Sequence, residues 1–151
     1  MKTSHKILIG VALALIVIQF FGIDKSAVAS DPSKDLIAIE ETPAEVQDIL
    51  KQACYDCHSY KTEYPWYTNV APLSWWIGHH IDEGRHHLNF SVWGEYSDKR
   101  REHKMEEFYE EVEEGEMPLI SYTWAHSEAK LSNEQKELII NWAKTVRKKY
   151  Q

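Results

Sequence analysis

The hydrophobic pattern changes first near the start of the chain. Residues 7–23 form an apolar run interrupted only by Gly10, Gln19 and Gly22, with Lys2, His5 and Lys6 in front of it. A basic opening followed by an apolar stretch is the layout of an export signal, and Ala27-Val28-Ala29 offers a small-x-small cleavage site. The run also reaches the roughly 17–25 residues that a membrane-spanning helix needs. Removal of residues 1–29 and their retention as an N-terminal anchor are both open, and the length and apolarity of the run favour the anchor. Either outcome exports the rest of the chain to the periplasm, held at the inner membrane if residues 7–23 stay.

Beyond this run the pattern turns polar. Residues 30–41 (SDPSKDLIAIEE) read as a linker, and residues 42–151 as the folded domain. Thr42 is a fitting N-cap, with Pro43 at the first helical position. Val46, Ile49 and Leu50 then repeat on one helical face, and the helix leads directly to Ala53-Cys54. Residues 59–72 hold two prolines and four aromatics and predict an ordered loop. A second helix opens at Pro72 and carries Trp75, Trp76, His79, Ile81 and Leu88. After a turn over 89–97, a charged helix from Asp98 to about Glu114 puts Met105, Phe108, Tyr109 and Val112 on one side, with Gly115 as its stop. Residues 116–131 show no period. Ser132 and Gln135 fit a capping box for a last helix burying Leu138, Ile139, Trp142 and Val146. Its final Arg147, Lys148 and Lys149 suit the negative end of the helix dipole.

No alternating strand pattern occurs. The expected fold is all-α: a small domain of about four helices behind an N-terminal apolar helix. Some 110 residues bury only about 60–70% of the unfolded chain's surface, so a covalent cofactor would usefully enlarge the core.

Charge narrows the partners. The chain of 151 residues has 17 Lys+Arg against 24 Asp+Glu, and 14 against 23 without residues 1–29. Phosphate backbones repel such an acidic domain, so nucleic acid is not an expected partner. The same acidity serves solubility, or steers the domain toward a basic partner.

The two cysteines carry the chemistry. Cys54-Tyr55-Asp56-Cys57-His58 is C-x-x-C-H, the attachment sequence for c-type haem. Two thiols at this spacing can each add to a haem vinyl group, and the adjacent histidine is carried to the iron as an axial ligand. One covalent haem c is thus expected on Cys54 and Cys57, with His58 as proximal ligand. A redox C-x-x-C would sit near a βαβ pattern, and none is visible. A zinc site needs a fourth ligand, for which His79, His80, His86 and His87 are available.

For the sixth position on the iron, Met117 is the preferred residue. It lies 59 positions after His58 in the aperiodic segment, and Pro118 keeps it out of a helix. A thioether there raises the potential relative to bis-histidine ligation. The rival is a histidine: His79, His80, His86, His87, His103 or His126. Met117 and Met105 have core packing as their ordinary alternative.

The chain resembles the bacterial haem-binding domain family, exported c-type haem proteins. The resemblance rests on "PAEVQDILKQACYDCHSY", "YPWYTNVAPLSWWIGHHIDEGRHHLNFSVW", "GEMPLISYTWAHSEAKLSNEQKELIINWA" and the apolar N-terminus ending "VIQFFGIDKS". It implies a cytochrome-c-like domain with Cys54, Cys57 and His58 at the haem and Met117 as distal methionine. It further implies that the carbonyl of Pro72 or Pro65 accepts the Nδ1–H of His58. Trp66, Tyr67, Trp75, Trp76, Trp93 and Trp124 form the expected haem wall, with Arg85 pairing a propionate.

These features point to one-electron transfer with other redox proteins outside the cytoplasm. No acid–base or nucleophile constellation argues for catalysis. An enzyme or gas or redox sensor with an accessible iron site is the first rival, with His79, His86 or Arg85 as distal groups. A metal-holding structural module is the second.

Overall fold

A computed structural model describes residues 3–151, so Lys2, part of the expected basic opening, lies outside the described residues. All regular structure is helical, and no strand occurs among the described residues. The first helix, α1, spans Thr3–Ile18 and buries none of its side chains. Its sixteen residues rise about 24 Å, short of the roughly 30 Å of bilayer hydrocarbon. No helix among the described residues is long and apolar enough to cross a membrane. The expected span over 7–23 is cut at Ile18 because Gln19 turns to other partners. Its amide donates to the carbonyls of Leu15 (2.8 Å) and Ala71 (3.0 Å) and accepts from the Ala71 N–H (3.0 Å).

The expected linker, residues 30–41, is folded instead. A 3-10 turn over Pro32–Lys34 leads into α2, Leu36–Ile39, capped by Asp35. Asp35, Leu36 and Glu40 are all buried. Asp35 accepts from the Tyr55 hydroxyl at 2.6 Å and pairs with Lys61 at 2.8 Å. Glu40 accepts from the Trp93 indole at 2.7 Å and is reached by Lys149 and Tyr150 from the C-terminus. Each buried carboxylate is therefore paired, as burial of a charge demands. Polarity here marks anchoring points within the fold.

Next come α3 (Ala44–Ala53) and α4 (Tyr55–His58), joined at Cys54. The cap of α3 is Pro43, and the Thr42 hydroxyl, expected as the cap, is buried without a hydrogen-bond partner. A 3-10 turn over Trp66–Asn69 precedes α5, Leu73–His87. Helix α6, Asp98–Glu114, is capped by Ser97 and ends at Gly115, whose φ of 81° lies in the left-handed region that glycine adopts without a Cβ penalty. Between α6 and the last helix, the aperiodic segment hides α7, Ile120–Ala125. Helix α8, Asn133–Lys148, begins with both halves of the Ser132–Gln135 capping box.

The four expected helices are thus α3, α5, α6 and α8, and three short ones join them. The long α6–α8 pair carries nearly half of the core: Met105, Phe108, Tyr109 and Val112 face Ile139, Trp142, Ala143 and Val146. Helix α3 closes this pair through Val46, Ile49 and Leu50, while Phe90 and Trp93 fill the centre.

Candidate functional site

The residues 54–58 follow α3 without a loop, so the α3 core contacts set their position. Cys54 ends α3, and α4 is one turn carrying Tyr55, Asp56, Cys57 and His58. Tyr55 points inward, buried against Phe90 and bonded to Asp35. Opposite directions on one helical turn then leave Cys57 outward. The backbone of α5 lies close over it at Gly84, where any Cβ would meet the Cys57 carbonyl oxygen at 2.7 Å. Only glycine fits this approach.

His58 is held by the end of α5. Its Nδ1 lies 3.0 Å from the Leu88 carbonyl, and its ring packs against Phe90. The resemblance to known proteins had implied Pro72 or Pro65 for this role; the chain uses Leu88 because α5 ends there, directly over α4. A carbonyl accepts only from N–H, so Nδ1 carries the proton and Nε2 keeps its lone pair. Burial holds the imidazole below its ordinary pKa, against the opposing pull of the Leu88 and Gly84 backbone. A neutral ring with a free Nε2 is the form in which histidine ligates metal. Both thiols are also shielded: burial pushes Cys54 up to about 12 and Cys57 up to about 11.

Cys57 lines a cavity of about 330 Å3. One wall is the first half of α5, with Leu73, Trp76, Ile77, His80 and Ile81. A second comes from the loop over 62–68, and the third is α7, through Leu119, Tyr122 and His126. The lining is largely apolar with a few convergent polar groups, the ordinary composition of a cofactor pocket. Asp56 joins two walls by accepting from the Tyr122 hydroxyl (2.8 Å) and the Glu63 N–H (2.9 Å). Tyr122 stacks on His126, whose Nε2 lies 2.6 Å from the Tyr67 hydroxyl. A second cavity, of about 420 Å3, lies on the far side of α5 by Asp24, His79 and Arg85, and touches none of residues 54–58.

The sequence-derived candidates divide on this geometry. Cys57, Trp76 and Tyr67 line the first cavity. Met117 is half-buried against the main core and is not among the lining residues; Cys54 packs there as well. Trp93 is fully buried in the core, Trp66 and Trp124 are exposed, and Trp75 turns to the N-terminal segment, so these four leave the expected wall. Arg85 is spent on the chain itself, donating to the Ser59 carbonyl and Thr62 hydroxyl at 2.9 Å each. Of the candidate histidines, His80 and His126 reach the cavity and His79, His86, His87 and His103 do not. The His80 Nδ1 is bonded to the Trp76 carbonyl at 2.8 Å, which frees its Nε2. Among the described residues no three His, Cys, Asp or Glu side chains converge where a metal ion could be held, so no fourth ligand for zinc joins the thiol pair. Tyr122 and the Leu88 carbonyl had no sequence signal, since both act from elements 30 or more residues away.

An all-helical domain that sets one cysteine of a C-x-x-C-H run in the wall of an apolar cavity, with a neutral imidazole next to it in the chain, has the makings of a cofactor-binding protein. The chain belongs to the haem-binding domain family, whose model matches residues 13–145. No curated protein and no solved structure matches it. The residues present fit a haem at one wall: the cavity is largely apolar and Cys57 lines it, while His58, its Nδ1 bonded to Leu88, and Cys54 stand next to that wall outside the lining.

Proposed function

We propose that the chain carries one haem c, joined through thioether bonds to Cys54 and Cys57, with His58 as proximal ligand, and that it transfers single electrons outside the cytoplasm. The observation that carries this reading is the His58–Leu88 contact: it fixes the tautomer and ring orientation that an axial ligand needs. Bound there, the haem would supply a one-electron couple. The chain's part is to exclude water with the α5 and α7 walls and to hold His58 neutral. Small redox proteins are its expected partners, with export and an inner-membrane location following from the N-terminal run. The hydroxyl–imidazole pair at the cavity wall, Tyr67 with His126, keeps its phenol protonated because burial raises the Tyr67 pKa, so electron transfer is preferred over catalysis.

In-gel haem staining after denaturation tests the attachment. Stain retained by the parent and lost in Cys54→Ala/Cys57→Ala is the expected result; equal staining of both would contradict a covalent bond.

The distal ligand has two candidates. Met117 suits the Met-Pro segment before α7. His80 is favoured by a specific observation: it lines the cavity with Nε2 free, and Met117 does not line it. The near-infrared band of His/Met iron separates them, since it should vanish in Met117→Ala if Met117 ligates. Its absence from the parent, with a changed spectrum in His80→Ala, assigns the histidine. Rapid carbon monoxide binding by the reduced parent would instead mark an open position and a sensor or enzyme.

A further inference from the structure

The two longest stretches of the chain without formal charge are residues 7–23 and 64–81. In a sequence that is 27% Asp, Glu, Lys and Arg, the fold brings these two together. The Gln19 side chain makes a two-way pair with the Ala71 backbone, and the Trp75 indole donates to the Phe21 carbonyl. Lys25 donates to Thr68 (2.8 Å) and Asn69 (2.7 Å), pinning the far end of the segment. The helix α1 therefore leaves the domain beside the start of α5. There Phe20, Phe21, Val70, Leu73, Trp75 and Trp76 are all exposed, with Phe20 at 83%.

Helix α1 decides what covers this face. Residues 7–18 contain no polar side chain on any side, and none of α1 is buried by the protein. A helix apolar all round needs an apolar environment on every side. A partner groove would cover one face only; hydrocarbon covers all of them. Tryptophans at the foot of such a helix match the aromatic belt found where a bilayer meets water, and the phenylalanines add apolar surface beside them.

We propose that the face of Phe20, Phe21, Val70, Leu73, Trp75 and Trp76 rests in the interfacial layer of a lipid bilayer, with α1 inserted beside it. Crossing of the bilayer is not required. The seating stands independently of the haem; one consequence rests on that reading. Leu73 and Trp76 also line the cavity beside Cys57, so seating this face sets the cavity rim at the membrane, within reach of a membrane-embedded electron donor or acceptor.

The test uses the full chain in phosphatidylcholine nanodiscs that include a phosphatidylcholine with a diazirine on its acyl chain. After illumination, mass spectrometry maps the adducts, and the intact mass reports whether residues 1–29 remain. The expected result is labelling within both 7–21 and 70–76, with Trp124 unlabelled although it is 81% exposed. Adducts confined to α1 would remove this face from the bilayer and overturn the proposal. Equal labelling of Trp124 would show a different orientation, and no adducts at all would show that α1 is not in lipid; either also overturns it. Haem staining of the same sample is read separately, so loss of haem and loss of seating are distinguishable.

Discussion

At the residue scale, the buried polar atoms around positions 54–58 fix more of the site than the thiols do. Tyr55 donates to Asp35 with no water to replace it. Tyr55→Phe should cost about 1–3 kcal/mol by leaving that carboxylate oxygen short of a donor, read as a lower urea midpoint with unchanged slope. The thiols make a second prediction. In haem-free chain, Cys54 and Cys57 sit at about 12 and 11 against a reference of 9.0. The folded state therefore keeps its protons when the unfolded chain has lost them, so stability should be full below pH 9 and fall as pH rises toward 11–12. Alkylation at pH 8 should be slow in the folded chain and fast after unfolding, since the thiolate is the reactive form; equal rates would show the thiols exposed. The C-x-x-C-H pattern was legible because its five residues are contiguous. The acceptor of the His58 proton was not, because a main-chain carbonyl at Leu88 leaves no mark on residue identity.

At the element scale, legibility followed length. Helices α6 and α8 are four turns or more, long enough to repeat an apolar face, and the sequence displays the glycine stop of the first and the capping box of the second. Helix α7 has six residues, too few to show a period, so the aperiodic segment concealed the third wall of the cavity. Helix α2 was concealed differently: Asp35 and Glu40 made its surroundings look solvated, while the fold buries both with partners from distant segments. The α4–α5 contact supplies the prediction at this scale. Gly84→Ala places a Cβ 2.7 Å from the Cys57 carbonyl oxygen and 3.2 Å from its Cβ. Overpacking against backbone costs about 1–3 kcal/mol, and it should lower the yield of covalently stained protein along with the melting temperature. Gly78→Ala, whose Cβ meets first the flexible Ile23 side chain, should leave staining unchanged.

Across the whole molecule, the α6–α8 pair is a structural half and the α4–α5–α7 group a chemical half. Met105 is fully buried among the core residues of the first. Met105→Ala should destabilise the protein by about 2–5 kcal/mol through lost burial and the cavity left behind. Its absorption spectrum should stay as in the parent, because Met105 is not among the residues lining the cavity beside Cys57. Thermal unfolding followed at the haem and at the helices checks both statements. The all-helical class was readable from sequence because the apolar period of 3.6 recurs in each long helix and no alternating strand pattern occurs between them. The packing of residues 19–25 on α5 was not readable, since it depends on side-chain-to-backbone bonds such as Gln19 to Ala71.

Asp56 occupies a position that the attachment motif leaves free, yet its carboxylate fastens α7 to the thiol pair. Nothing else among the described hydrogen bonds ties the α7 side chains to residues 54–58. Helix α7 is thus a door with two latches, Tyr122 to Asp56 and His126 to Tyr67, and the first lies between the two cysteines. A chain able to swing that door would admit a large planar ring from the side and shut once it is seated. Asp56→Asn, which weakens the first latch without removing it, should speed amide exchange over 119–126 and leave α6 and α8 as they were.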